Sequence, residues 1–259
     1  MSKRHEAIGI KQVVRLEWYD YALDMLIDNM APNKIREQLD QFIRDRLQTG
    51  GYGERGEQTY TKAVTQIMKC WVTPDKQLMA IRDHALLYAR NHERDIRTAL
   101  HWAVTISAYP FWHRVAEQTG RLLNLQESVT QKQIRLRCFE SMGERSTVER
   151  SARRVIRSFV AWGVLKDSDD KGCYEKQPSI NIKDQNLSAL LLEAALYAIP
   201  EGKAALNLLM NSPALFPFEL TAMTGDYISQ TSDCIELIRY GLDDELLKLK
   251  DGYQRDSTK

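Results

Sequence analysis

The chain has 259 residues, of which 43% are hydrophobic and 27% are charged, a composition typical of a folded protein with a substantial core. Its 13 glycines and 7 prolines are too few for a collagen-like or low-complexity chain. The net charge is +1, so any argument for a nucleic-acid partner must come from where the charges lie and not from their sum.

The sequence carries no signal for export or membrane insertion. Its first twelve residues, MSKRHEAIGIKQ, lack the apolar stretch of a secretory signal. The most hydrophobic run, residues 187–199, is shorter than the roughly 20 apolar residues that span a bilayer, and Glu193 interrupts it. The four cysteines are widely spaced and form no CxxC pair, as expected of reduced thiols. We therefore expect a cytoplasmic protein.

The first hundred residues repeat apolar side chains at helical spacing. Residues 13–30 and 33–47 form two amphipathic segments separated by Pro32, and three more helical segments follow near 59–71, 75–91 and 93–108. We predict a helical N-terminal domain over residues 1–108.

The stretch GYGERG at 51–56 matches the letters of a dinucleotide-binding motif, but a charged helical segment and not a strand precedes it. We interpret it as a loop between helices.

Two consecutive helices in the middle of the chain carry N-terminal capping signals. Thr130 and Gln133 form a Thr-x-x-Gln capping box, and Gly143 stands where that helix is expected to end. Ser146 and Glu149 then form a second box, Ser-x-x-Glu. Two such helices joined by a short turn that contains glycine form a helix-turn-helix.

The segments on either side extend this unit. A helix that begins near Pro110 precedes it. After it come a short apolar run at Val164–Leu165, a charged turn at Ser168–Gly172, and an extended run from Tyr174 towards Ile180 and Ile182. This pattern predicts a β-hairpin, the "wing" of a winged helix-turn-helix that spans residues 109–183.

The remaining residues, 184–259, are predicted to be mainly helical and to end in an acidic tail. Segments 187–199 and 202–210 and the last segment, which ends in DDELLKLK, are interpreted as helices, while 216–223 and 234–240 are ambiguous between strand and helix. The acidic run Asp243–Glu245 is interpreted as the opening of the last helix. The predicted fold class is mainly α, with a helical N-terminal half, the central module with its small hairpin, and a helical C-terminal region.

The second capped helix places its arginines on one side. At about 100° per residue, Arg153, Arg154 and Arg157 lie within about 60° of Arg150, and we call these four residues the arginine face. The opposite side is apolar and consists of Val148, Ala152, Val155, Ile156 and Phe159. A solvated polar face would show the same pattern, but arginine also supplies a planar fork for phosphate oxygens or guanine edges.

Charge is segregated along the chain. Residues 131–157 hold eight cations and three acids, a net of +5, whereas residues 219–259 hold nine acids and five cations, a net of −4. The candidate DNA-contacting residues are Arg150, Arg153, Arg154, Arg157, Thr147, Ser146, Lys132, Arg135, Arg145, Lys166 and Lys171.

Motifs for catalysis do not stand out. The five histidines form no HExxH pair and lie at no zinc-binding spacing from cysteine, and the chain has no G-x-S-x-G motif or Walker loop. We expect no enzymatic activity, no metal site and no cofactor.

The stretch GERSTVERSARRVIRSFVAWGVL, followed by a hairpin, resembles the recognition helix and wing of winged helix-turn-helix proteins, and the resemblance covers about residues 110–182. The order of a helical half, this module and an apolar helical tail also resembles the BrxA-like accessory proteins of bacterial BREX phage-defence islands. These resemblances imply a mostly helical protein that binds double-stranded DNA through the arginine face, in a defence complex or as a transcriptional regulator.

Two other classes of function stay open. One is a protein-interaction adaptor whose winged helix docks an acidic partner. The other is RNA binding through the N-terminal half, where few aromatic residues stand among basic ones to stack on single-stranded bases.

Overall fold

The computed structural model describes residues 3–46, 57–240, 244–250 and 252. Within these residues the chain is mainly helical, with small sheets. The α-helices are α1 (Lys3–Glu6), α2 (Leu16–Ile27), α3 (Pro32–Arg46), α4 (Glu57–Trp71), α5 (Met79–Asn91), α6 (Arg97–Ala108), α7 (Pro110–Leu123), α8 (Gln131–Met142), α9 (Ser146–Ala161), α10 (Gln185–Ala198), α11 (Leu206–Met210) and α12 (Gly225–Thr231). The strands are β1 (Ser128–Thr130), β2 (Leu165–Asp167), β3 (Cys173–Lys176), β4 (Ile180–Ile182), β5 (Lys203–Ala205), β6 (Phe218–Leu220), β7 (Ile235–Tyr240) and β8 (Asp244–Leu249).

The predicted N-terminal helices are present as α2 to α6. Helix α2 buries Trp18, Tyr19 and Leu23 on one side, as its spacing of apolar residues requires. The predicted loop at 51–56 lies outside the described residues. None of the helices in the described ranges is both long and apolar enough to cross a membrane.

Helix α10 lies at the centre of the molecule and packs along α6. It is mostly apolar and is buried on all sides from Leu187 to Ala198, which is why it shows no single hydrophobic stripe. Buried side chains from all three predicted segments of the chain form one continuous hydrophobic cluster.

Aromatic rings join α9 to this core. The ring of Trp102 on α6 lies 6.2 Å from that of Trp112 on α7 and 5.2 Å from that of Phe159 on α9, measured between centroids. Trp162, directly after α9, lies 5.2 Å from Trp112 in the same way. Because these large aromatic rings are buried together, they fix the position of α9 relative to the rest of the protein.

A three-stranded antiparallel sheet accompanies α7, α8 and α9, in the order β1-β3-β2. The hairpin β2–β3 has its turn at the predicted place, and Gly172 adopts the positive φ of 80° that such a turn accommodates best with glycine. The prediction was wrong at Ile180 and Ile182, which do not extend the hairpin. They belong to β4, which pairs in parallel with β6 in a separate sheet.

The C-terminal region is less helical than predicted. The segment ending in DDELLKLK forms β8, an extended strand in the centre of the sheet β5-β8-β7. Segment 202–210 is divided between β5 and the five-residue α11. Asp244 and Glu245 therefore begin a strand and not a helix, and Asp243 lies outside the described residues. The interpretation failed because the pairing of β8 with two partners overrides the helical preference of leucine and lysine.

The turn at 213–216 packs directly against the backbone of α7. A Cβ atom built on Gly120 would lie 2.0 Å from the carbonyl oxygen of Pro213 and 3.0 Å from Cβ of Phe216. Glycine at position 120 is therefore required by close approach, because any side chain would occupy space already filled by another part of the chain.

Candidate nucleic-acid interface

The capping box that begins α8 is confirmed. Oγ1 of Thr130 accepts a hydrogen bond from the backbone N–H of Gln133 at 3.1 Å, and Oε1 of Gln133 accepts one from the backbone N–H of Thr130 at 2.8 Å. After α8, Gly143 adopts a positive φ of 81° and turns the chain towards α9.

The second predicted box is wrong. Helix α9 begins at Ser146 with Arg145 as its N-cap residue, and no side chain caps it. The carboxylate of Glu149 accepts a hydrogen bond from Arg135 on α8 at 2.7 Å, and so joins the two helices. The hydroxyl of Ser146 instead accepts a hydrogen bond from Arg150 at 3.3 Å.

The inner side of α9 is held by packing and by two hydroxyl groups. Its five predicted apolar residues are all buried. The hydroxyl of Ser151 donates to the carbonyl of Ile10 at 2.8 Å, and that of Ser158 accepts from the backbone N–H of Val14 at 3.0 Å. The indole N–H of Trp162 donates to the carbonyl of Val14 at 3.2 Å. The segment 10–14 thus supports α9 from behind.

Three arginines of the arginine face point away from this support. Arg150 and Arg153 are exposed and Arg154 is half-buried, and none of them pairs with a carboxylate in the described part of the chain. Burial lowers the pKa of the Arg154 guanidinium, and the like charges of Arg150 and Arg153 lower it further. Three positive charges that repel one another create a surface that an anion would stabilise.

Arg157 differs from the other three. Its guanidinium donates to the carboxylate of Asp167 on β2. Burial lowers the pKa of Arg157, but the hydrogen bond and charge of Asp167 outweigh it and raise that pKa. The fork of Arg157 is therefore occupied by the hairpin.

The other predicted contacts fall into two groups. Lys166 pairs with Glu175 on the neighbouring strand at 2.6 Å, and Arg145 donates to the carbonyl of Met142 at 3.0 Å. Thr147, Lys132 and Lys171 are exposed, and Arg135 is half-buried by its pairing with Glu149. These residues lie on α8, on the turn before α9, at the start of α9 and on the hairpin.

Comparison with protein-family models, with curated proteins and with solved structures finds no match to this chain. A functional proposal for this chain therefore depends on the geometry of the arginine face and not on similar proteins.

Two carboxylates of this surface were not predicted from the sequence. Asp167 neutralises Arg157, and Glu175 neutralises Lys166. A signal for the second pair was present, because a turn at Ser168–Gly172 places Lys166 opposite Glu175 in an antiparallel hairpin. The first pair joins a helix to a strand and depends on how the hairpin folds back, which spacing along one helix does not reveal.

A second polar site lies elsewhere, between α5 and the end of α12. It is a cavity of about 330 Å³ lined by polar groups that include His84, Glu193, Asp233 and Cys234. Glu193 is only 2% exposed. Burial raises the pKa of its carboxyl group to about 7, and the charge of Asp233 adds to this, against hydrogen bonds to Ser232 and Cys234. No group of three metal-ligating residues is found here or elsewhere among the described residues.

Proposed function

We propose that residues 110–176 form a winged helix-turn-helix module and that the protein binds double-stranded DNA through α9. The order helix, strand, two helices and hairpin, with a three-stranded antiparallel sheet, resembles that module. In such modules the second helix of the helix-turn-helix enters the major groove, and α9 occupies that position.

One observation carries the proposal. Arg150, Arg153 and Arg154 stand together on the outer side of α9 without a carboxylate partner in the described part of the chain. The inner side of the same helix is fully buried, so the helix cannot turn these charges inward without exposing its apolar residues. Phosphate groups would supply the missing negative charge, and release of their counterions would favour binding.

In this proposal the protein acts without catalysis in the cytoplasm. Its resemblance to BrxA-like proteins favours an accessory component of a phage-defence complex, and a transcriptional regulator would use the same surface. Both roles need a protein that holds duplex DNA while its other surfaces contact partners.

The proposal is tested by measuring how salt affects DNA binding. The full chain is titrated onto a fluorescent duplex of about 20 base pairs at several salt concentrations between about 50 and 200 mM. Each phosphate contact contributes about 0.9 to the slope of log affinity against log salt. Replacing Arg150, Arg153 and Arg154 by alanine should therefore weaken binding and reduce the slope by about 1.8 for two phosphate contacts, or by about 2.7 for three.

The matched control removes the same charge from another surface. Lys34 and Arg36 are exposed on α3, and Lys76 is exposed before α5. Alanine at these three positions should leave affinity and slope close to those of the wild type. Equal losses in both triple variants, or an unchanged slope in the arginine variant, would reject the arginine face as the DNA-binding surface.

A protein-interaction adaptor is the second candidate, and one observation favours it. Asp169 and Asp170 are exposed at the tip of the hairpin, where they would repel phosphates next to α9. An acidic protein partner could contact the arginine face without meeting the hairpin tip. This candidate predicts no retention of duplex DNA by the wild-type chain at moderate salt.

A further inference from the structure

We infer that Arg150 is the residue that gives this surface its sequence preference, and that it recognises guanine in the major groove of duplex DNA. The inference rests on the proposed function and adds to it the base that is read and the side chain that reads it.

The position of Arg150 on the helix is the first argument. On an ideal helix Arg150 and Arg157 lie along the middle of the arginine face, whereas Arg153 and Arg154 lie about 60° and 40° to either side. When a helix lies in the major groove, side chains along the middle face the base edges, and those at the sides face the phosphates of the two groove walls. Arg150 and Arg157 are therefore the candidates for base contact.

The structure distinguishes these two candidates. Arg157 is held by Asp167, and it belongs to the C-terminal half of α9. Arg150 has no carboxylate partner among the described residues and lies near the N-terminus of the helix. Recognition helices contact base edges mainly with residues near their N-termini.

The side chain of Arg150 makes two hydrogen bonds to its own helix. Its Nε donates to the carbonyl oxygen of Ser146 at 3.2 Å, and its Nη2 donates to the hydroxyl of Ser146 at 3.3 Å. These bonds leave the N–H groups of Nη1 and the second N–H of Nη2 for a ligand. Two parallel N–H donors match O6 and N7 of guanine, the pair of acceptors that no other base presents in the major groove.

The neighbouring side chains allow a close approach. Ser146, Thr147 and Ala161 are exposed and small, and they lie on the same side of α9 as Arg150. No aromatic side chain stands on this side of the helix to stack on an unpaired base. These features suit an intact duplex better than a single strand.

The experiment measures discrimination between duplexes. The full chain selects duplexes from a randomised library, and the preferred duplex is then compared with two derivatives. One replaces guanine by 7-deazaguanine, which keeps the base pair but removes N7, and the other replaces G·C by A·T. We expect the wild type to bind the selected duplex about tenfold to a hundredfold more tightly than either derivative.

The variants assign that preference to one side chain. Arg150→Ala should bind all three duplexes with similar affinity, because alanine has no donor for guanine. Arg150→Lys should show a smaller preference than the wild type, because lysine keeps the charge but lacks the planar fork. Arg153→Ala should weaken binding to all three by a similar factor and keep the preference. Each variant is checked by its thermal midpoint, which an exposed substitution should leave close to that of the wild type.

The experiment distinguishes failure of the inference about Arg150 from failure of the proposed DNA binding. Salt-dependent binding without any preference for a guanine-containing duplex would overturn the inference and leave the proposed function standing. A preference that survives in Arg150→Ala would also overturn it. Absence of binding by the wild type to any duplex would overturn the proposed function itself.

Discussion

Replacing Glu193 by glutamine should stabilise the protein at alkaline pH. The carboxyl group is buried on α10, where hydroxyl and thiol groups and the carboxylate of Asp233 act on it and no cation among the described residues lowers its pKa. Burial raises its pKa from the ordinary glutamate value of 4.5 to about 7. Ionisation therefore costs the folded state more than the unfolded state.

The magnitude follows from linkage. A difference between 4.5 and about 7 corresponds to about 3 kcal/mol of unfolding free energy. Because the pKa of the folded state is the higher one, the contribution of this group to stability is greatest below pH 4.5, falls as the pH rises towards 7, and changes little above that. Glutamine mimics the protonated carboxyl group and cannot ionise. Between pH 5 and 8.5 the advantage of the variant should grow by about 2–3 kcal/mol, or about 5–10 °C in thermal midpoint.

The assay follows thermal or urea unfolding of the wild type and of Glu193→Gln across this pH range. Glu219→Gln on β6 is the matched control, because it makes the same substitution at an exposed position. A difference between Glu193→Gln and the wild type that stays constant from pH 5 to 8.5 would show that this carboxyl group is not destabilised by burial. A variant less stable than the wild type at pH 8.5 would refute the reasoning.

Two further substitutions test the packing that positions α9. Gly120→Ala should destabilise the protein by about 3 kcal/mol or more, because its Cβ would lie 2.0 Å from the carbonyl oxygen of Pro213, and an unchanged unfolding midpoint would contradict this contact. Ser158→Ala should cost about 1–3 kcal/mol, because the buried N–H of Val14 would lose its acceptor. The exposed Ser141→Ala on α8 serves as its control and should change stability by less than about 0.5 kcal/mol.

The sequence predicts most of the helices and part of the interface. Helices α2 to α9 follow from periodic apolar residues, and the box formed by Thr130 and Gln133 marks the start of α8. The opposed apolar and cationic sides of α9 are also predictable, because both arise within one helix. Signals of this kind depend on neighbours within four residues.

The features that the sequence does not predict depend on partners far along the chain. Strand β4 pairs with β6, which begins 38 residues later, and β8 lies between β5 and β7. Glu149 fits a capping box by spacing, but in the fold Arg135 provides a cationic partner for its carboxylate. The pairing of Arg157 with Asp167 likewise requires the hairpin to be in place. Local sequence patterns predict a helix and its exposed side. Tertiary contacts decide which of its charged side chains remain unpaired.

The hydrogen bonds between residues 10–14 and the inner side of α9 have a consequence for how the helix is held. A short piece of backbone near the start of the chain contacts α9 on the side remote from the arginines. Deleting residues 10–14 would therefore remove the acceptors of Ser151 and Trp162 and the donor to Ser158, and would weaken the support of the whole inner side of α9.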